Sequence, residues 1–256
     1  MRKLAAVIVM VAVIVIPFCL FDVLPEIGDP NSAPNSHVSN YYIENTVEEC
    51  NSPNMVTSVI VDYRAFDTLF ETTVMFLSGV SVLLILSRKP DMKRKHEPMI
   101  NRPPATGKHP VFSTVNKRVM VSIIEPLILI YAIYVLFHGE VSLGGGFQAG
   151  ALIAMVYLLD VMVVKRDKDL ITLSKYNATA FAGLGPFIYA LAGILAMIGG
   201  GLFLEYGAMP FGIEAPELHS IGILMVEIGV TIGVACTIIT ILQSILERVI
   251  FDDDAN

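Results

Sequence analysis

Four carboxylates stand inside long apolar runs of this chain: Glu71, Glu125, Asp160 and Glu227. An ionised carboxylate at the centre of a bilayer costs about 2.5–3.5 kcal/mol on insertion scales, so each must be protonated, cation-bound, hydrated or partnered. Holding a proton or a cation and giving it up again is the chemistry of an ion pathway. At about 1.5 Å of rise per residue, Glu71 and Glu227 lie roughly 6 and 10 Å inside their runs from the same side, the depth of an outward-facing half-channel. These two lead the candidates. Asp160 lies within snorkelling reach of Lys165 and Arg166, which favours an interfacial role. Glu125 precedes Pro126, whose ring frees a carbonyl in the preceding turn, so local hydration accounts for it as readily as ion passage. His138 and His219 fall at outer helix ends. A pKa of about 6.5 suits a proton relay, and an interfacial hydrogen bond is the simpler role.

The stretch from His138 to Gly150, HGEVSLGGGFQAG, is the most distinctive in the chain. Gly144, Gly145 and Gly146 stand near a helix N-terminus, leaving backbone N–H groups unshielded for an anionic group or a neighbour's carbonyl, with Phe147, Gln148 and Gly150 following. Packing is the plainer expectation. Gly146, Gly150 and Ala154 recur every four residues, as do Ala192, Ala196 and Gly200, and Gly229 with Gly233, which lets neighbouring helices approach closely. Asp62, Tyr63, Arg64 and Asp67, just ahead of an apolar run, are expected to anchor it at the surface as interface residues. Cys19, Cys50 and Cys236 are an odd number without metal-ligand spacing, so neither a disulfide framework nor a zinc site is expected, and no metal. No Gly-x-Ser-x-Gly or His-Glu-x-x-His occurs, and only one Asp is intramembrane, so an intramembrane protease is disfavoured and no enzymatic role is expected.

The elements that must position these residues are apolar helices. The 256 residues are 54% hydrophobic and 16% charged, with a mean hydropathy of +0.67, which places the chain in the membrane class. Spanning a bilayer takes roughly 20 apolar residues, and six such runs stand out: Leu4–Phe21, Thr68–Leu86, Val119–Phe137, Gly144–Val164, Ala178–Leu204 and Ser220–Leu246. The first follows Met1-Arg2-Lys3 but ends in Pro17-Phe18-Cys19 without a small-x-small cleavage site, so it is expected to be a membrane helix and not a signal peptide. With both termini inside, every one of the 17 basic residues except Arg64 falls in a cytoplasmic segment, as the positive-inside rule demands. The net charge of −7 comes from acids gathered in outer loops and the tail. The fold expected is all-α integral membrane with six transmembrane helices. Its larger outer loop, Asp22 to Asp67, is expected to carry a short β-strand or hairpin at the β-branched Met55–Tyr63. Five prolines among the basic residues of 88–118 read as a tether. The chain thus divides into a two-helix module over 1–87, a linker over 88–118 and a four-helix module over 119–256.

The segment from Glu125 through Leu136-Phe-His-Gly to Gly144-Gly-Gly-Phe-Gln-Ala-Gly150, with His219 and Val226-Glu-Ile-Gly-Val230, resembles the B subunit of Mrp-type multisubunit sodium/proton antiporters. Asn54-Met-Val-Thr-Ser-Val-Ile-Val-Asp-Tyr-Arg-Ala-Phe-Asp-Thr-Leu69, followed by Glu71-Thr-Thr-Val74, resembles the C-terminal part of the large A subunit. That part stands as a small separate E-like subunit in the related membrane-bound hydrogenases and sulfur-reducing complexes. The resemblance implies a non-catalytic subunit of an Mrp-type cation/proton antiporter module, in which the main ion path runs through antiporter-like subunits related to those of respiratory complex I. The implied partners are antiporter-like A and D subunits and small C, E, F and G type subunits. The alternatives are the same module in a redox-driven pump, with hydrogenase or iron–sulfur partners, and a purely structural scaffold. No cofactor is expected in this chain; Na+ and H+ are transported, in the inner membrane of a prokaryote, with no nucleic-acid partner.

Overall fold

The computed structural model describes residues 2–20, 26–86, 111–161 and 173–254, and among these it contains helices, turns and no strand. Eight α-helices follow in order: α1 (Arg2–Leu20), α2 (Ser39–Cys50), α3 (Met55–Ser58), α4 (Ala65–Leu86), α5 (Val111–Phe137), α6 (Gly146–Leu159), α7 (Lys175–Ile198) and α8 (Ala215–Asp254). Short π-helical turns stand at Pro34–Val38 and Val59–Tyr63. The chain divides into two compact units, Met1–Asn45 and Thr46–Asn256. The first holds the apolar α1 and a turn region in which Asn35, Asn40 and Asn45 each donate a side-chain hydrogen bond to a nearby carbonyl.

In the second unit, α8 is the centre, with α4, α6 and α7 packed around it and α5 against α6. Buried residues fill 67% of the apolar window of α8 but only 11% of that of α4. So α8 is a core helix and α4 is largely bare on its outer side. Glycines set the close crossings. A Cβ on Gly185 of α7 would lie 2.6 Å from Gly233 Cα, and one on Gly150 of α6 would lie 2.8 Å from the Thr231 carbonyl of α8. Gly79 of α4 instead makes room for the Thr237 side chain of α8, whose Cγ2 would lie 2.7 Å from a Cβ there, while at Gly185 and Gly150 glycine admits the neighbouring backbone. With no side chain between them the backbones make direct van der Waals contact. Ala192 and Ala196 are buried as expected, but Gly200 packs against nothing. It stands just past the end of α7 at φ +97°, where its amide bonds back to Met197 O and closes the helix in the left-handed conformation glycine favours.

Among the described residues, four helical segments are long and apolar enough to cross a membrane: Ala65–Leu86, Val119–Phe137, Lys175–Ile198 and Ala215–Glu247. The apolar α6 has 14 residues, about 21 Å at 1.5 Å each. The last residues of the run expected to Val164 lie outside the described ones, as does most of the 88–118 linker, whose final residues are already helical in α5.

Met55–Tyr63 forms no strand or hairpin; it is helical. Tertiary anchoring overrides the β-branched composition there. Asn54 caps α3 by accepting from Val56 N, and Thr57 donates from inside the turn to Gly139 O at 2.6 Å. The π turn that follows ends at Tyr63, and hydroxyls bond carbonyls in it and at the start of α4: Thr68 donates to Ile60 O, Tyr206 to Val61 O and Tyr189 to Ala65 O. Tyr189 and Tyr206 are fully buried, so these bonds hold the start of α4 against α7 and the 203–209 loop.

Candidate functional site

A cleft of about 610 Å³ opens between α3, α4, α6 and α8, and both leading carboxylates line it. Glu227, on α8, is 4% exposed. Its carboxylate lies against backbone: a Cβ on Gly139 would stand 2.7 Å from its Oε1, and one on Gly145 would stand 2.9 Å from the same atom. Glycine at both places lets the side chain take this position; a Cβ at either would displace the carboxylate. No hydrogen bond to the Glu227 carboxylate is made among the described residues. Gly145 is also the residue ahead of α6, so the acid lies near the positive end of that helix, a placement that favours negative charge by about 0.3–1 kcal/mol. Gly144, Gly146, Phe147 and Gln148 line the same cleft, and Gly146 and Gly150 press on α8. The glycine string thus combines close packing with lining. Glu71 is exposed on α4, one turn past the buried Thr68 and beside the buried Thr72.

The hairpin between α5 and α6 that presents Gly139 is pinned from α3. Asn54 Nδ2 donates to Gly139 O and Ser142 O, at 2.9 and 2.8 Å, Asn54 N donates to Glu140 O, and Ser52 Oγ donates to the same carbonyl. Glu140 was not singled out from the sequence. Burial raises its pKa above the usual carboxylate range, with a Ser220 hydrogen bond opposing. Its place in the string His138-Gly-Glu was the available signal.

The other candidates lie elsewhere. Glu125 and Asp160 are each 1% exposed, within α5 and at the end of α6, and neither lines the cleft. His138 is exposed and stacked on Tyr134, ring centroids 4.0 Å apart, with Nδ1 3.1 Å from Tyr134 O. His219 Nδ1 lies 2.6 Å from Asp62 Oδ2, and Cys50 completes a group of three. Asp62 therefore turns inward to α8, while Arg64 and Asp67 form an exposed ion pair. Tyr63 donates to Glu49 Oε2 at 2.6 Å, and burial followed by that contact raises its pKa. The Cys50 thiol is pushed up to about 12, first by burial and then by Asp62.

Residues 117–240 match the family described as a domain related to the MnhB subunit of Na+/H+ antiporter, and residues 30–101 match the family of the MBH E subunit. An uncharacterised protein of Methanocaldococcus jannaschii is 29% identical over 157 residues, 59% of each chain. A probable A/B subunit of a K(+)/H(+) antiporter of Rhizobium meliloti is 21% identical over 220 residues, 76% of this chain and 21% of that one. The chain thus spans about three-fifths and one-fifth of the lengths of these relatives. Among solved structures, the Mrp complex from Dietzia sp. aligns with TM-score 0.66 at 23% identity, covering 95% of this chain and 26% of the other, and shares the fold. A chain of the membrane-bound sulfane sulfur reductase, an archaeal respiratory membrane complex, aligns with TM-score 0.60 at 25% identity over 95% of this chain and 98% of its own.

Proposed function

We propose, starting from a chain that joins an E-like and a B-like part of an Mrp-type module, that it is a non-catalytic multi-pass membrane subunit of a cation/proton antiporter module. It assembles with other membrane subunits of a larger complex. The finer reading is that Glu227 and Glu71 line part of a sodium or proton path, beside antiporter-like subunits of A and D type and small C, E, F and G type subunits. One observation carries it. Two acids from different family parts, one buried without a hydrogen-bond partner among the described residues, open onto a single cleft beside the N-terminus of α6. Such a group holds a proton or a cation. Six spans with both termini cytoplasmic, in a prokaryotic inner membrane, fit the distribution of basic residues.

Glu→Gln at 71 or 227 keeps size and hydrogen bonding but removes the titrating charge. Each is expected to depress sodium-dependent pH change in everted vesicles several-fold, with subunit content unchanged on blotting. Wild-type transport in both variants at normal assembly overturns the ion-path reading and leaves a scaffold.

A second host is favoured by coverage: the alignment to the sulfane sulfur reductase chain spans 98% of that chain. In this reading the module belongs to a redox-driven pump. Flavin or iron–sulfur partners in mass spectra of the intact complex distinguish it from a free-standing antiporter.

A further inference from the structure

We propose that Cys50, Asp62 and His219 form a zinc-type metal site that staples the E-like part of this chain to its B-like part. Cys50 ends α2, Asp62 belongs to the π turn before α4, and His219 lies in the second turn of α8. One donor atom from each, a thiol sulfur, a carboxylate oxygen and an imidazole nitrogen, all lie within 4.8 Å of one another. The group is built into the protein. Cys50 is 1% exposed, and the Asp62 and His219 side chains are 10% and 20% exposed.

Tetrahedral zinc at about 2.3 Å from sulfur and about 2.0–2.1 Å from nitrogen and oxygen places its ligand atoms roughly 3.3–3.6 Å apart. The 2.6 Å His219–Asp62 contact has to open by about 0.7 Å, and the sulfur, within 4.8 Å of the others, to move inward by about 1.2 Å at most, on that geometry. Gly207 accommodates the imidazole ring where it stands, since a Cβ there would be 2.7 Å from His219 Nε2. Thiolate with imidazole selects zinc or a similar transition ion over sodium, potassium, magnesium or calcium. The site is thus chemically distinct from the cleft that holds Glu71 and Glu227, and it stands or falls independently of their role. Three protein ligands leave a tetrahedral ion one open position.

Cys50 and Asp62 lie in the segment matching the E subunit of MBH, and His219 in the segment matching the MnhB-related domain. A metal held by all three would therefore tie together parts that meet otherwise through hydrogen bonds and apolar packing. Metal-binding free energy adds directly to the stability of that junction.

The test uses the purified complex carrying the full chain, stripped with a chelator and titrated with Co2+ and then Zn2+. Wild type is expected to gain a near-ultraviolet thiolate-to-cobalt absorption that one equivalent of Zn2+ per chain displaces. Cys50→Ser should abolish it, Cys236→Ser should retain it, and Asp62→Asn and His219→Gln should each weaken zinc binding about tenfold or more. Added zinc should also raise the melting temperature of wild type but not of Cys50→Ser. Should Cys50→Ser fail to assemble, the His219→Gln complex is read in its place. A wild-type cobalt spectrum identical to that of the variant in the assembled complex, or zinc affinity unchanged in the variants, overturns the site.

Discussion

Glu227 is confined by two glycines from the α5–α6 hairpin, so the hairpin backbone and not a side chain forms the wall behind its carboxylate. Gly139→Ala would put a methyl group 2.7–2.8 Å from both carboxylate oxygens, closer than any real contact, and the acid must swing toward the cleft. Transport is expected to fall by about as much as in Glu227→Gln, with a shifted pH profile, since the acid remains but its setting changes; vesicle assays over pH measure both. Glu140 gives a prediction with a definite sign. Its pKa is raised by burial, so the folded protein binds its proton more tightly than the unfolded chain. The protonated form is favoured at low pH, and stability is lost as pH rises from the ordinary glutamate pKa through the raised one. Glu140→Gln should therefore raise the melting temperature of the complex at neutral pH, with the difference vanishing under acid conditions. Partial exposure of this side chain keeps the effect small.

At the scale of elements, α3 shows a short helix held by what it grips. Four residues with no length of their own persist because Asn54 and Thr57 reach across to Gly139 O and Ser142 O. Asn54→Ala removes the cap and two long-range bonds together and leaves carbonyls partly unsatisfied. The expected loss is about 2–4 kcal/mol, at roughly 1 kcal/mol per bond and cap, read as a lower melting temperature of the complex and as faster proteolysis near the hairpin. Gly150→Leu tests the α6–α8 crossing. Its side chain would meet the Thr231 carbonyl and Val234, so α6 cannot seat and the chain should be lost from the assembly, as blotting of purified complex would reveal.

For the whole molecule, most of the apolar surface of α4 and α5 faces outward: Phe70, Val74, Leu77, Ile123, Leu127 and Ile130 are all exposed. Expressed alone, the chain is expected to aggregate or be degraded, and a monodisperse monomer in mild detergent would contradict the subunit reading. The joint between the two family parts relies on contacts of α4 with α7 and α8 and on the Asn54 clamp, besides the connecting chain. Cutting between Lys93 and Lys108 should leave both pieces in the purified complex. Loss of either piece would show that the covalent link is essential.

Much of this protein was legible in its sequence because the signals concerned are local and additive. Long apolar runs marked α4, α5, α7 and α8, since hydropathy sums along a segment whatever it packs against, and the two family strings located the E-like and B-like parts. Element ends were less legible. The prolines and charges of the 88–118 segment masked the helical start of α5 at Val111, and the β-branched Met55–Tyr63 concealed a helix that only distant carbonyls stabilise. Depth along the runs paired Glu71 with Glu227, and tertiary structure decided which acids open onto one cleft. Glu71 and Glu227 meet at one cleft while Glu125 and Asp160 do not, because that depends on which face of each helix α8 selects through its glycine crossings. It also decided that Asp62, read as a surface anchor, turns inward to His219, 157 residues away, beside a cysteine whose spacing in the chain revealed nothing. Side chains so far apart converge through helix packing, and no periodicity or local motif encodes that.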